Sequence, residues 1–181
     1  KMFGPTGVGM LYGKRKLFNA IPPYQGGGDM IKTVSFEKTT YNELPHKFEA
    51  GTPNISAGIA TAAAVDYIES LDWDAIHIHE EELLNYATSE LKKIEGLKII
   101  GEAQEKASVI SFVVAGTHAY DLGVLVDKMG IAVRTGHHCT QPLMNRFGIQ
   151  GTVRASFAFY NTKEEVNLLI AALKRAINML V

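Results

Sequence analysis

The chain has 181 residues, of which 46% are hydrophobic and 20% charged, with a net charge of −1. That length suits one domain, or one domain with part of another, and provides enough apolar side chains for a core. A pI near 6.7 without a basic stripe argues against a nucleic-acid surface, and no apolar run approaches the roughly 18 residues of a membrane-spanning helix. The single cysteine rules out an intrachain disulfide framework and fits a reducing cytoplasm. Lys1-Met2-Phe3-Gly4-Pro5 lacks the apolar stretch of a signal peptide. A chain that opens on lysine inside a glycine-rich motif is expected to lack its natural beginning.

In chain order, Gly4, Gly7 and Gly9 lead into an apolar run that predicts a strand over 8–14. These glycines lack the Gly-Lys-Ser/Thr end of a phosphate loop. They also run into a strand, not the helix of a dinucleotide fingerprint, so a tight turn is the favoured reading over a ligand loop. Pro22-Pro23, Gly26-Gly27-Gly28 and Lys38-Thr39-Thr40-Tyr41 predict irregular or hairpin structure over 21–48. Asn54 or Ser56 can cap a helix over 57–71. A second helix over 74–94 follows from Ile76, Leu83, Leu84, Ala87, Leu91 and Ile94, mostly three or four residues apart, with Gly96 as its C-cap.

Strands are expected over 97–100 and 109–114, then a helix over 120–128 capped by Thr117 and closed by Gly130. Further strands are expected over 131–134 and 152–159. Thr162-Lys163-Glu164-Glu165 is a capping box, and Val166, Leu169, Ile170, Leu173, Ile177 and Leu180 line one face of a last helix. The order is mixed α/β. Residues 1–54 are richer in Gly, Pro and Thr than 55–181, which places a boundary between those segments.

The chemistry concentrates in Arg134-Thr135-Gly136-His137-His138-Cys139. Thiolates are the nucleophilic form of cysteine and nearby cations favour them, and a loop at the end of a strand is a common place to present one. A lone cysteine is more often a small buried hydrophobe, yet His-His-Cys-Thr-Gln suits no apolar slot. Three consecutive metal-ligand types lack the spaced pairs of a structural zinc site, so no metal is expected. Arg154 sits inside the apolar Val153-Arg154-Ala155-Ser156 run. It needs an anion, and a bound carboxylate or a structural Asp or Glu would serve equally on pattern alone. Glu49-Ala50-Gly51-Thr52-Pro53-Asn54 precedes a helix start, where a capping loop is the plainer reading and an anion site the sharper one.

These motifs, with Lys1-Met2-Phe3-Gly4-Pro5-Thr6-Gly7-Val8-Gly9 and Tyr160-Asn161-Thr162, resemble the C-terminal part of a cysteine desulfurase. The likeness is to the group II (SufS/CsdA-type) branch of the class V aminotransferases, which also includes selenocysteine lyases, and it spans essentially the whole chain. Tyr24-Gln25 stands where that pattern carries an acidic residue before the glycines. The resemblance implies a pyridoxal 5′-phosphate-dependent transferase of fold-type I: residues 1–54 as a remnant of the large domain with its hairpin, and 55–181 as the small α/β domain.

It further implies that Lys1 forms the Schiff base with the cofactor and that Cys139 accepts sulfur from L-cysteine as a persulfide, with alanine as co-product. Arg154 would hold the substrate carboxylate, and Arg134 and His138 would line the cleft. Gly51 and Thr52 would reach the cofactor phosphate of a partner subunit in a homodimer. L-Selenocysteine is the second candidate substrate. A SufE- or SufU-like protein is the implied sulfur acceptor, and iron–sulfur cluster assembly in the cytoplasm the implied setting. The isolated segment is expected to turn over little. The alternatives are another class V enzyme, or a non-catalytic folding or dimerisation unit.

Overall fold

The computed structural model describes residues 2–181, so Lys1, the expected Schiff-base residue, lies outside the described residues. The chain divides into two compact units, Lys1–Leu71 and Asp72–Val181. This division falls after the helix that follows Asn54.

In the first unit, α1 (Arg15–Ala20) precedes a hairpin of β1 (Ile31–Val34) and β2 (Thr39–Tyr41). The two strands are antiparallel, with Ile31 opposite Tyr41 and Val34 opposite Thr39. A 3₁₀ turn (His46–Phe48) and α2 (Ile55–Glu69) complete the unit. Lys47 ties these pieces together: its ammonium donates to the carbonyls of Phe18, Asn19 and Ile21 at 2.9, 3.2 and 2.7 Å, covering the end of α1. Cations suit helix C-termini because carbonyls there lack intrahelical partners. Asn54 accepts from the Ala57 amide and caps α2, as its side chain predicts.

The strand expected over 8–14 does not form. That run is extended coil up to α1, with Tyr12 94% exposed. A strand needs a neighbour to take up its backbone groups, and the described sheet of this unit holds only β1 and β2.

The second unit begins with α3 (Trp73–Leu91), β3 (Leu97–Ile100) and β4 (Val109–Val114). It continues through α4 (Ala119–Asp127), β5 (Arg134–Gly136), α5 (Gln141–Phe147), β6 (Thr152–Ser156) and α6 (Lys163–Leu180). The four strands pair antiparallel in the order β3-β4-β6-β5. Alternation along β4 sends Ile110, Phe112 and Val114 into the core, as the period of two requires. They meet Leu83, Ala87 and Leu91 of α3, Leu122 and Val126 of α4, and Val166, Ile170 and Leu173 of α6. The Thr162 hydroxyl accepts from the Glu165 amide while the Glu165 carboxylate accepts from the Thr162 amide, so the expected capping box forms.

Three differences from the sequence reading bear on the site. The apolar run 131–133 is not strand: the Ile131 amide bonds back to the Val126 carbonyl and closes α4, while β5 begins only at Arg134. The cap of α4 is His118, not Thr117; its ring accepts from the Tyr120 amide. β6 stops at Ser156, because Asn161 accepts from the Ala158 amide and turns the chain toward α6. Among the described residues, no helix is long and apolar enough to cross a membrane.

Candidate active site around Cys139

β5 and β6 form the platform, and the turn between β5 and α5 carries the cysteine. Their register places Gly136 opposite Thr152, Thr135 opposite Val153 and Arg134 opposite Arg154. The turn then leaves the sheet through three residues of positive φ: Gly136 at 110°, His138 at 52° and Cys139 at 61°. Left-handed backbone is costly for non-glycine residues and concentrates at functional sites. Local hydrogen bonds hold it: the Thr140 amide and hydroxyl both donate to the His137 carbonyl at 2.8 Å. The Cys139 amide donates to His137 Nδ1 at 3.2 Å.

Cys139 is a free, exposed thiol. The buried-hydrophobe reading therefore does not apply to it. Arg134 Nη2 lies 3.9 Å from Sγ, a long contact to sulfur from a permanently charged group.

The facing pair Arg134 and Arg154 is the central electrostatic feature. Like charges directly opposite on neighbouring strands repel. Among the described residues, no carboxylate forms an ion pair with either arginine. The Arg154 Nε is also buried without a hydrogen-bond partner among the described residues. The structural ion pair weighed for Arg154 is thus not present among the described residues. A buried guanidinium donor without an acceptor is costly, and a planar carboxylate suits its fork.

His138 stands on the same turn as Cys139. Its Nε2 is 2.8 Å from the Thr152 hydroxyl, and its Nδ1 is buried without a partner among the described residues. The ring's pKa lies below the ordinary histidine value, first because of burial and next because of the Arg154 charge, with hydrogen bonding to the Thr152 backbone acting the other way. Among the described residues, no group of three His, Cys, Asp or Glu is placed to hold a metal.

Two close approaches that hold this platform have no motif of their own. A Cβ on Gly151 would meet the Gly136 backbone at 2.8–3.0 Å, and one on Gly123 of α4 would run into the Thr135 side chain. Gly151→Ala is expected to cost about 1–3 kcal/mol, since backbone atoms cannot yield as a side chain can. It should also change the alkylation rate of Cys139. Thermal unfolding and iodoacetamide labelling check this, and an unchanged Tm would show that β5 has room to move.

Gly51 and Thr52 lie in the first unit. Gly51 turns at φ 79° with open space where a Cβ would stand, and its amide donates to the Gly28 carbonyl at 2.9 Å. Thr52 is exposed.

The fold and this cysteine turn define a class. The aminotransferase class-V family matches residues 1–169, and the chain belongs to that family. Within it, the chain is 50% identical over 180 residues to a probable cysteine desulfurase of Xylella fastidiosa (strain Temecula1), covering 99% of this chain and 43% of the relative. It is also 50% identical over 175 residues to a cysteine desulfurase of Synechococcus elongatus, covering 97% of this chain and 28% of the relative. The crystal structure of the cysteine desulfurase CsdA (S-sulfonic acid) from Escherichia coli superposes with a TM-score of 0.91 at 41% identity, over 99% of this chain and 45% of that one. The chain therefore spans less than half the length of these relatives.

Proposed function

We propose that the protein carrying this chain is a pyridoxal 5′-phosphate-dependent cysteine desulfurase of the group II type, which transfers sulfur from L-cysteine to Cys139. The observation that carries the reading is the exposed Cys139 on a left-handed turn beside two facing arginines that have no carboxylate partner among the described residues. The cysteine desulfurases to which the chain is similar support it.

The residues present fit the cofactor. The Gly51 turn leaves open space, Thr52 offers an exposed hydroxyl, and the α2 N-terminus follows at Ile55, a combination suited to a phosphate. Lys1 would hold the cofactor covalently, and Gly51 and Thr52 would contact its phosphate. When bound, the cofactor supplies a sink for electrons from the substrate carbon.

The chain's own residues do the rest. Arg154, and Arg134 beside it, hold the substrate carboxylate and orient the amino acid. The Cys139 thiolate gives an electron pair to the substrate sulfur, and an S–S bond forms. The C–S bond breaks with its electron pair leaving on carbon, which takes up protons and ends as alanine. Splitting a hard transfer into a covalent step and a later handoff is nucleophilic catalysis.

In the same reading, residues 1–54 belong to the large domain of a fold-type I homodimer and 55–181 form its small domain. The persulfide is passed to a SufE- or SufU-like acceptor for iron–sulfur assembly in the cytoplasm. The test is product analysis on the full-length protein with L-cysteine and, in parallel, L-selenocysteine. Alanine should accumulate, and the peptide containing Cys139 should gain the mass of one sulfur atom. Alanine formation without that mass gain would remove Cys139 from the role.

A further inference from the structure

Arg154 is the middle residue of β6, and the chain leaving that strand is held by the Tyr160-Asn161-Thr162 motif and by α3. The Phe157 amide donates to the Ser108 carbonyl at 2.9 Å, and the Ser108 hydroxyl donates to the Glu80 carbonyl of α3 at 3.2 Å. The Ala158 amide donates to Asn161 Oδ1 and the Asn161 amide to the Ala158 carbonyl, both at 2.9 Å. The Asn161 carbonyl lies 2.9 Å from His79 Nε2; a carbonyl only accepts, so that nitrogen donates. His79 and Glu80 are consecutive on α3, so one point of that helix holds both anchors. The Asn161 amide group admits one orientation. A backbone N–H only donates, so Oδ1 faces Ala158, and Nδ2 is left to donate to Glu165 Oε2 at 3.0 Å, an atom that also accepts from the Thr162 amide.

We propose that Asn161 is a positioning residue for substrate binding: by closing the turn after β6 and joining it to His79 of α3, it fixes where Arg154 stands on the sheet. β5 is poorly suited to that task. It is three residues long, it sets Arg134 against Arg154, and it pairs with neither Ala155 nor Ser156. A slip of β6 by one residue would exchange Arg154 with Val153 or Ala155, which are 0% and 4% exposed in the core. The inference rests on the desulfurase reading for what Arg154 binds, whereas the clamp itself does not.

The test inverts one hydrogen bond in the full-length protein. Asn161→Asp keeps the acceptor for the Ala158 amide but sets a second carboxylate against Glu165. Adding Glu165→Gln supplies the missing donor from the other side. KM for L-cysteine should rise about two- to tenfold in Asn161→Asp, the range one hydrogen bond spans, with kcat nearly unchanged, and should return in the double variant. The ¹⁵Nε NMR signal of Arg154, assigned by its loss in Arg154→Lys, should move and return in parallel. In the unsubstituted protein the Ala158 amide should resist hydrogen exchange. A lower Tm in Asn161→Asp with KM and the Arg154 signal unmoved would make Asn161 structural only and overturn the proposal. Free exchange at Ala158 would overturn it too, and that outcome needs no variant to fold. A protein that makes no alanine from L-cysteine, but whose Arg154 signal moves and returns with the two substitutions, would sink the desulfurase reading and leave the clamp standing.

Discussion

Serine in place of Cys139 should reduce alanine formation from L-cysteine by about a thousandfold or more, with the fold unchanged. Losses of that order or larger accompany removal of a nucleophile in other enzymes. The reason is chemical. A serine hydroxyl holds its proton at neutral pH, whereas cysteine reacts through its thiolate, and only sulfur can carry a second sulfur as a persulfide. The exposed position of residue 139, on a turn held by hydrogen bonds from its amide and from Thr140, leaves the substitution nothing to disturb in the core. Circular dichroism should be superimposable, and alanine release followed by chromatography gives the loss. Retention of more than about a tenth of the rate would point to a different sulfur acceptor.

Arg154→Met should separate binding from stability, because the two readings of this arginine predict opposite signs. A hydrogen bond to a charged group contributes about 1.5–3 kcal/mol, so losing the carboxylate fork should raise KM for L-cysteine roughly ten- to 150-fold. A structural arginine in a buried ion pair would instead cost the fold about 3–5 kcal/mol when removed. Arg154 has no such partner among the described residues and faces Arg134 across the strand pair. Its removal relieves a like-charge opposition, a gain of about 0.2–1 kcal/mol, so stability should hold or rise slightly. Arg154→Lys keeps the repulsion but lacks the planar fork, and should show the KM defect without the stability gain. Denaturant titration beside steady-state kinetics distinguishes the cases. A large drop in stability with unchanged KM would make Arg154 a structural residue.

Where local chemistry sets the structure, the sequence was readable. The last helix announces itself through a capping box and an apolar stripe from Val166 to Leu180, and both form. β4 follows from the apolar run over 109–114, and α2 from Asn54. Tertiary partners decided the failures. The run 8–14 has strand-like residues but no strand partner among the described residues, and Ile131 is drawn back by a hydrogen bond to α4. α5 was missed although its signals were present: a proline in its first turn and Gly148 in the left-handed conformation at its end. The nearby cysteine motif made that stretch read as loop.

The site divides in the same way. Arg134, His138 and Cys139 are close in sequence, and their proximity could be read directly. That Arg134 faces Arg154, that Thr152 meets His138, and that Gly151 lies against Gly136 are facts of register and packing. No local pattern encodes them, because register is fixed by the whole sheet.

β5 is three residues long and lies at the margin of its sheet, paired only with β6, while β4 lies between two neighbours with Phe112 fully enclosed. Opening costs least where the fewest ladder bonds must break. Amide exchange should therefore reach the segment leading to Cys139 long before it reaches the centre of the sheet. The turn bearing residue 139 can open while the rest of the unit stays folded.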